Sequence, residues 1–240
     1  MGPRKIDNRP LYAKVHAALV ERIRSGRWKA GQLIPNEFEV AAEFKVSQGT
    51  ARKAIGALAD ENLVVRRQGR GTYVYEHTPD DIVFRFINFF DASGARATFT
   101  NRTAKLSAGK AKMAERQALQ LPKGARVFRV DRLRISDRRA FVTETTALPA
   151  AMFPRLSELA ETLDTLYDVF QKRYGVLVTR TEEQLTAVGA DAKAAGELRI
   201  PVGTPLLRIE RTAFTIDDRA VEWRVSLCHL KGAHYLARTR

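Results

Sequence analysis

Residues 47–62 read SQGTARKAIGALADEN, and this stretch decides the fold of the N-terminal third of the chain. At a helical period, four apolar residues share one face: Ala51, Ala54, Ile55 and Leu58. The opposite face is polar and basic and carries Gln48, Gly49, Arg52 and Lys53. Ser47 stands where its hydroxyl can accept a hydrogen bond from a free N–H of the first turn. The pattern therefore predicts an amphipathic helix that begins at Ser47.

A basic ribbon follows this helix over residues 63–74, LVVRRQGRGTYV. Short apolar runs at 63–65 and 73–75 flank a cationic centre, which predicts a two-stranded hairpin with a cationic tip. The centre consists of Arg66, Arg67, Gln68, Gly69, Arg70 and Gly71. A helix and a hairpin that both present positive charge favour a polyanionic partner.

Two more helices are predicted upstream of the amphipathic helix. The first lies within residues 10–26 and has apolar residues at every fourth position: Leu11, Val15, Leu19 and Ile23. Asn36 and Glu39 have the spacing of a capping box, which predicts a second, short helix that runs to about Phe44. Only two residues separate this helix from Ser47. Such a short link predicts a helix-turn-helix, and the hairpin then becomes its wing.

Composition narrows the class of protein. The chain has 240 residues, of which 45% are hydrophobic, and a formal net charge of +14, so it is large enough for two domains and favours nucleic acid as a partner. The single cysteine, Cys228, excludes an internal disulfide framework and fits a reducing compartment. The sequence shows neither a signal peptide nor an apolar run near the roughly 20 residues that span a membrane. We expect a cytoplasmic protein without a membrane segment.

The sequence gives no indication of a metal site. The four histidines are widely scattered, with no cysteine or carboxylate at ligand spacing: His16, His77, His229 and His234. We therefore expect no metal and no cofactor.

Five short segments along residues 10–75 carry a resemblance to a known family. They are Pro10-Leu11-Tyr12, Gly31 to Pro35 with Asn36-Glu37, Val46-Ser47 with Thr50 and Arg52, Leu58 with Leu63, and Arg67 to Val74. This series resembles the winged helix-turn-helix domain of GntR-type transcriptional regulators. The resemblance implies a homodimer that binds double-stranded DNA at a palindromic operator.

The helix front and the hairpin have the chemistry of a DNA-reading surface. Arg52 can reach guanine O6 and N7 with two donors, and Gln48 can reach a base or a phosphate. Two hydroxyls near the helix start can bind phosphate oxygens, and the glycines of the wing let its backbone approach the minor groove. The predicted DNA-binding residues are Ser47, Gln48, Thr50, Arg52, Lys53, Gln68, Gly69, Arg70 and Gly71. The alternative is a solvated basic face with a charge-protected edge strand.

The family resemblance implies roles for individual residues, and this sequence departs from the family pattern at two positions. It implies that Arg52 touches a base and that Gln68 and Gly69 touch the minor groove. Gln48 stands where the family commonly has arginine, and Phe38 stands where it often has a basic residue. Since Phe38 cannot pair with phosphate or guanine, we expect an operator sequence that differs from the usual one.

Beyond a polar segment at residues 76–83, which predicts a linker, the chain repeats itself. The segments 119–140 and 198–220 share a Leu-x-[Leu/Ile]-Pro-x-Gly pattern and a later [Val/Ile]-acid-Arg pattern, 79 residues apart. Each copy follows an alanine-rich helical stretch and predicts a strand, a polar turn and another strand. Further strands are predicted at 84–90 and 97–106, and a helix near 163–174. We expect an α+β domain with one antiparallel sheet and an internal repeat.

This second part resembles the UTRA ligand-binding domain of the HutC-like branch, whose fold is related to chorismate lyase. The predicted domains are therefore a winged helix-turn-helix domain at 1–75, the linker at 76–83, and an effector-binding and dimerisation domain at 84–240. Alternation along 126–135 places Arg132 and Arg134 on one strand face, where two guanidinium groups can grip a carboxylate or phosphate. The resemblance implies that this pair lines the effector pocket together with Glu144 and Thr165. The alternative for the two arginines is a solvated strand end.

Other residues of the second part leave further alternatives. Glu144 can be a surface strand residue, and Thr165 can cap or line a helix. Glu222 and Trp223 lie on the returning strand of the second copy, where they can close the pocket, although Trp223 is also suited to the core. The predicted effector set is Arg132, Arg134, Glu144, Thr165 and Glu222.

The leading hypothesis is a ligand-responsive transcriptional regulator that acts as a repressor and senses a small anionic metabolite, an organic acid or a phosphosugar. A second hypothesis is an enzyme of the chorismate-lyase type, which the absence of a nucleophile beside a base in the sequence disfavours. A third is a basic protein that binds DNA without sequence preference. Titration against palindromic and random duplexes at fixed salt separates the first hypothesis from the third.

Overall fold

The computed structural model describes residues 9–76, 88–136, 138–159 and 166–237, except for the side chains of Thr103 and Ala104. The chain divides into two compact units, Met1–Glu76 and His77–Arg240. Apart from Glu76, the predicted linker lies outside the described residues.

The first unit is a three-helix domain with a hairpin, and its order matches the predicted winged helix-turn-helix. Its elements are α1 (Leu11–Arg24), α2 (Glu37–Phe44), α3 (Gln48–Asp60), β1 (Val64–Arg67) and β2 (Gly71–Val74). The four residues predicted to form the apolar face of α3 are all buried. They pack in a core with Val15 and Leu19 of α1 and Val40 of α2, which are also buried. Burial of these apolar faces holds the three helices together.

Side-chain caps fix where α2 and α3 begin. The Asn36 side chain accepts hydrogen bonds from the N–H groups of Phe38 and Glu39 at 2.9 and 3.0 Å. Glu39 in turn accepts from the Asn36 N–H at 2.7 Å, which completes the predicted capping box. Ser47 accepts from the Thr50 N–H at 3.2 Å. Each cap satisfies donors that the first turn of a helix leaves free.

The two strands of the hairpin extend further towards its tip than the apolar runs indicated. Its register pairs Val64 with Val74 and Arg67 with Gly71 in an antiparallel ladder, so only residues 68–70 form the turn. Gly71 has a φ of 106°, and a Cβ there would lie 2.7 Å from the Leu33 side chain. Glycine is therefore required at this position both for the backbone conformation and for the close approach of Leu33.

The second unit is built on a six-stranded antiparallel sheet with strand order β4-β5-β6-β9-β8-β7. A separate two-stranded ribbon pairs β3 with β10. The elements are β3 (Phe89–Asp91), β4 (Thr100–Lys110), α4 (Met113–Ala118), β5 (Arg126–Ser136), β6 (Arg139–Pro149), α5 (Leu166–Tyr174), β7 (Val178–Gly189), α6 (Ala192–Leu198), β8 (Pro205–Thr215), β9 (Ala220–Cys228) and β10 (Ala233–Tyr235).

The internal repeat explains this strand order. Each copy contributes a strand, a short helix and a hairpin: β4-α4-β5-β6 and then β7-α6-β8-β9. The copies join where β6 pairs with β9, for example at Thr145 and Val225. From one edge the strands follow in the order β4, β5, β6, and from the other edge the matching strands of the second copy follow in the order β7, β8, β9. The sheet therefore has an approximate two-fold axis where β6 meets β9. The α+β class and the repeat are as predicted.

The two faces of the sheet carry different cores. Helices α4 and α6 pack on one face, where α4 covers Val127, Phe214 and Trp223, and α6 covers Leu206 and Leu227. The other face carries two apolar clusters. One gathers under α5 around Phe170 and Leu148. The second lies beside the β3–β10 ribbon around Phe89, Val142, Ile209 and Cys228.

Some strands differ from the sequence-based expectation. Strand β7 was not predicted, because its sequence VTRTEEQLTAVG is polar, and most of its residues are exposed at the sheet edge. Of the strand predicted at 84–90, residues 84–87 lie outside the described residues, and β3 covers its end. Strand β4 begins at Thr100 and runs four residues past 106, as far as Lys110. Within the described residues, no helix is long and apolar enough to cross a membrane.

Replacing Asn36 with alanine removes the side chain that caps α2. We expect Asn36→Ala to lower the free energy of unfolding of the first unit by about 0.5–2 kcal/mol, because two helix N–H groups lose their acceptor. Urea unfolding of the full chain, followed by circular dichroism, measures the change. Asn36→Asp keeps an acceptor and serves as the control, so equal losses in both variants would contradict the capping explanation.

Candidate DNA-reading surface and effector site

The first candidate site is an exposed basic surface on α3 and the hairpin. Arg52 and Lys53 of α3 are exposed, as are residues 65–71 of the hairpin, whereas Gln48 and Thr50 are half-buried. The positive φ of Gly69, 68°, lets the hairpin turn tightly at its tip. The predicted DNA-binding residues therefore lie on the solvent side of their elements, opposite the core.

The carboxylate of Glu37, which the sequence alone did not single out, binds Arg52, the main candidate for base contact. Arg52 Nε donates to Glu37 Oε2 at 2.8 Å. The other oxygen of Glu37 lies 3.8 Å from Arg66 Nη2 of the hairpin. Glu37, the first residue of α2, thus connects α3 with β1. We call the set of Glu37, Gln48, Arg52, Arg66 and residues 68–70 the reading surface.

Other cations of the first unit rest on aromatic rings. Lys53 Nζ lies 4.0 Å from the centre of the Tyr12 ring, and the Arg67 guanidinium lies 4.7 Å from the centre of the Tyr73 ring. Such cation–π contacts orient a charge without neutralising it. Phe38, the residue that departs from the family pattern, is 69% exposed and adds an apolar side chain next to Glu37.

The second candidate site consists of five acidic or basic side chains on one face of the six-stranded sheet, and we call it the arginine network. Its members are Arg132, Arg134, Glu144, Glu222 and Arg224, and each is at most 7% exposed. They lie between the apolar cluster under α5 and the one beside the β3–β10 ribbon, since Val130 and Val142 flank them along the strands. Burial of so many charges requires that each be paired.

Glu144 lies at the centre of the arginine network. It accepts a hydrogen bond from Arg134 Nε at 3.1 Å and from Arg134 Nη2 at 3.2 Å. Arg132 Nη2 lies 2.7 Å away, and Arg224 Nη1 lies 3.9 Å away. The Ser226 hydroxyl completes the set at 3.3 Å. Arg132 and Arg134 thus grip a carboxylate as predicted for an effector, but the carboxylate is one of the chain's own.

A second carboxylate extends the arginine network towards α5. Glu222 is fully buried. It lies 2.9 Å from Arg224 Nη2 and accepts a hydrogen bond from the Tyr167 hydroxyl at 3.2 Å. The Thr146 hydroxyl and Arg224 Nε are buried on this face without a hydrogen-bond partner among the described residues. Because Thr146 lies opposite Arg224 in the strand register, both groups face the same space.

The protonation states follow from burial and from neighbouring charge. Burial alone raises the pKa of Glu144, but the positive charges of Arg134, Arg224 and Arg132 outweigh it and hold that pKa well below its usual range. Burial lowers the pKa of Arg134 to about 10, against the opposing effect of Glu144. Burial raises the pKa of the Tyr167 hydroxyl. At neutral pH Glu144 and Arg134 are therefore ionised, and Tyr167 remains a hydrogen-bond donor.

The structure decides between several alternatives for the predicted effector residues. Arg132 and Arg134 are not a solvated strand end, and Glu144 is not a surface residue, because each is at most 4% exposed. Thr165 lies outside the described residues. Trp223 cannot close this site, because successive strand residues alternate and it packs against α4 on the opposite face from Glu222.

Sequence reasoning missed several members of the site. Arg224, Tyr167, Thr146 and Ser226 were not predicted, and neither was Arg211, whose Nε donates to Glu183 at 2.6 Å on the same face. The repeat contained part of the signal, because Arg211 lies 79 residues after Arg132. A second signal was the spacing of Glu222 and Arg224, because two residues that lie two positions apart on a strand face the same side of the sheet. Among the described residues, no group of three or more His, Cys, Asp or Glu side chains can hold a metal ion.

Comparison with known families identifies both parts of the chain. The family of bacterial regulatory proteins named gntR matches residues 11–74, and the UTRA domain matches residues 95–232. The chain therefore belongs to the GntR family of bacterial regulators, in the HutC-like branch that carries a UTRA domain. It is a DNA-binding transcriptional regulator and not an enzyme.

Curated relatives match along most of their length. The probable fructoselysine utilization operon transcriptional repressor of Escherichia coli K12 is 28% identical over 220 residues, which cover 91% of this chain and 90% of that protein. The mannosyl-D-glycerate transport/metabolism system repressor MngR of the same organism is 26% identical over 218 residues and covers 90% of each chain.

Solved structures agree with the fold. The ligand-binding domain of a GntR-family regulator from Bordetella bronchiseptica is 26% identical, with a TM-score of 0.61, and covers 65% of this chain and 98% of that one. PhnF from Mycobacterium smegmatis is 27% identical, with a TM-score of 0.55, and covers 94% of this chain and 99% of that one.

Removing the central carboxylate tests whether the arginine network depends on it. We expect Glu144→Gln to lower the free energy of unfolding of the second unit by roughly 3–5 kcal/mol at pH 7, because buried arginines lose their counter-charge. The folded-state pKa of Glu144 lies below its ordinary value of 4.5, so its contribution is complete above pH 4.5 and is lost as the pH falls towards the lower value. The difference between wild type and variant should therefore shrink below pH 4.5.

Urea unfolding at several pH values measures this difference. Glu182→Gln is the control, because Glu182 is an exposed carboxylate whose side chain is 66% accessible on β7. Equal stability of Glu144→Gln and wild type at pH 7 would mean that the buried arginines do not need this carboxylate.

Proposed function

We propose that the chain is a homodimeric repressor that binds a palindromic operator through its reading surface and is controlled by a small anionic metabolite bound at the arginine network. In this proposal residues 1–75 read DNA in the cytoplasm, residues 76–83 link the domains, and residues 84–240 sense the effector and dimerise. A two-fold operator requires a two-fold protein, and the dimer sets the distance between the half-sites.

The observation that carries the DNA-reading part is the exposure of the cations of α3 and the hairpin on one side of a well-packed domain. Arg52 uses Nε for Glu37, its side chain is 62% exposed, and its two Nη groups carry the remaining donors of the guanidinium. Two such donors match O6 and N7 of guanine in the major groove. Residues 68–70 project at the tip of the hairpin, where the exposed Gln68, Gly69 and Arg70 suit the minor groove.

The effector part is supported by the chemistry of the arginine network. Arg132 and Arg134 already bind the carboxylate of Glu144, so the site has the geometry for an anion. The Thr146 hydroxyl and Arg224 Nε are further groups that a bound molecule can engage. An anion that exchanges with Glu144 changes the pairing of charges across β5, β6 and β9. Such a ligand shifts the population of dimer geometries only if it binds them with different affinities.

The names of two relatives support a sugar derivative as the effector. The fructoselysine and mannosyl-D-glycerate repressors are named for sugar derivatives. Organic acids and phosphosugars are therefore the ligand classes that we propose for this chain, and we propose that the bound effector releases the operator.

Replacing Arg52 tests the reading surface. We expect Arg52→Ala to remove about 1–3 kcal/mol of discrimination between the operator and unrelated DNA, because the bidentate base contact is lost while the fold is kept. The operator probe is a duplex that the wild-type chain selects from a randomised library, and fluorescence anisotropy at fixed salt gives both affinities. Arg24→Ala, an exposed arginine at the end of α1 bonded to Glu21, is the charge-matched control. Unchanged discrimination by Arg52→Ala would remove Arg52 from the reading surface.

Thermal unfolding with a panel of phosphosugars, amino-acid catabolites and other organic acids tests the effector site. We expect one anionic class to raise the melting temperature, since a ligand at 100 times its Kd stabilises the fold by about 2.7 kcal/mol. Arg132→Lys keeps the charge but loses the guanidinium fork, so its affinity for that ligand should fall at least about tenfold.

The control for this experiment is Arg129→Lys. Arg129 lies on the same strand but on the opposite face, where it binds Glu115 through two donors. A ligand response that both variants keep, or that both lose, would place the effector elsewhere.

A further inference from the structure

We infer that Glu37 is a positioning residue for DNA reading: it aligns Arg52 so that a specific base is recognised, at the expense of general affinity for DNA. This inference rests on the proposed role of Arg52 in base contact. Its experiments are chosen so that failure of the proposed function and failure of this inference give different results.

The position of Glu37 requires an explanation. It lies on the reading surface, where a negative charge is repelled by the phosphates of a duplex. Its side chain is 25% exposed, whereas those of Arg52 and Arg66 are 62% and 52% exposed. Salt bridges at such exposure contribute little to stability. The dipole of α2 favours a carboxylate in its first turn by about 0.3–1 kcal/mol, but this accounts only for the charge of Glu37 and not for its pairing with two arginines of the reading surface.

The atoms that pair indicate what Glu37 does. Arg52 donates its Nε–H to Glu37 at 2.8 Å, so this contact occupies the Nε edge of the planar guanidinium group. The two Nη groups at the far end of the fork are the donors that match guanine O6 and N7. Without this contact, rotation about the several single bonds of the arginine side chain lets it reach phosphates as readily as bases. Glu37 therefore removes orientations of Arg52 in which it would bind the DNA backbone.

The same carboxylate also restrains the hairpin. Its second oxygen lies 3.8 Å from Arg66 Nη2 on β1, so one side chain contacts the cations of two DNA-facing elements. Since Asn36 caps α2 immediately before Glu37, the carboxylate projects from a fixed helix start. This placement gives Glu37 a defined position from which to orient both arginines.

Glu37→Gln separates this role from a direct contact or a structural role. We expect the ratio of operator to unrelated-duplex affinity to fall about tenfold, because a neutral amide oxygen holds the Arg52 guanidinium less strongly than a carboxylate does, so that phosphates displace it more easily. Affinity for the unrelated duplex should rise, because a negative charge disappears and Arg66 becomes free to bind phosphate. The slope of log K against log salt should steepen by up to about 1 for one additional phosphate contact. The probes are the library-selected duplex and an unrelated duplex of equal length.

Glu39→Gln is the matched control. It removes the same charge from the same turn of α2, and glutamine can still accept the Asn36 N–H that Glu39 accepts at 2.7 Å. We expect this variant to keep the wild-type specificity ratio. If Glu39→Gln and Glu37→Gln lower the ratio equally, net charge explains the effect and the inference is overturned. Unchanged melting temperatures confirm that both variants are folded.

The double variant Glu37→Gln with Arg52→Ala decides how Glu37 acts. If it acts through Arg52, the double variant has the specificity ratio of Arg52→Ala alone. A further loss would mean that Glu37 sets specificity by a route other than Arg52, either through Arg66 or by its own contact with a base such as the N4 amino group of cytosine, which overturns positioning of Arg52. If Arg52→Ala keeps the wild-type ratio, the proposed reading surface is wrong. If only Glu37→Gln keeps it, the inference alone fails.

Discussion

Three arginines share the interior of one sheet face because the carboxylate of Glu144 lies among them. An unpaired guanidinium in such a place costs several kcal/mol, so Arg132, Arg134 and Arg224 constrain the fold as strongly as any apolar residue. The pairing of Arg132 with Glu144 also depends on strand register. A slip of one residue between β5 and β6 would carry the carboxylate to the opposite face and leave the arginines without it. The arginine network therefore specifies register as well as binding chemistry.

The internal repeat produces a symmetric fold with an asymmetric site. In the first copy Arg132 lies opposite Glu144, and in the second copy Arg211 lies opposite Arg224. The repeat thus places a carboxylate in one half and a guanidinium at the equivalent position in the other half. Because β6 and β9 are neighbours, these two unlike residues meet at the junction. The proposed anion site arises there from the difference between two otherwise similar hairpins.

The chain uses arginine–carboxylate pairs at two levels of exposure. On the exposed reading surface, the pair of Arg52 and Glu37 is solvated and contributes little stability, so in the proposed function Arg52 exchanges this partner for a base at small cost. In the buried network, the pair of Arg134 and Glu144 is almost without solvent, and breaking it affects the whole domain. Exposure therefore separates a contact suited to reversible reading from one suited to coupling a bound anion to the fold.

The sequence by itself determined the helix-turn-helix, the wing and the duplicated α+β domain. The N-caps at Asn36 and Ser47 and the buried face of α3 depend on neighbours within one or two helical turns, so local spacing was enough to predict them. Tertiary structure alone decided that Arg52 bonds to Glu37, 15 residues away, and that Ser226 bonds to Glu144, 82 residues away. It also turned polar β7 into an edge strand. These features depend on which strands and helices become neighbours, and hydrophobic periodicity does not encode the partner of a charged side chain.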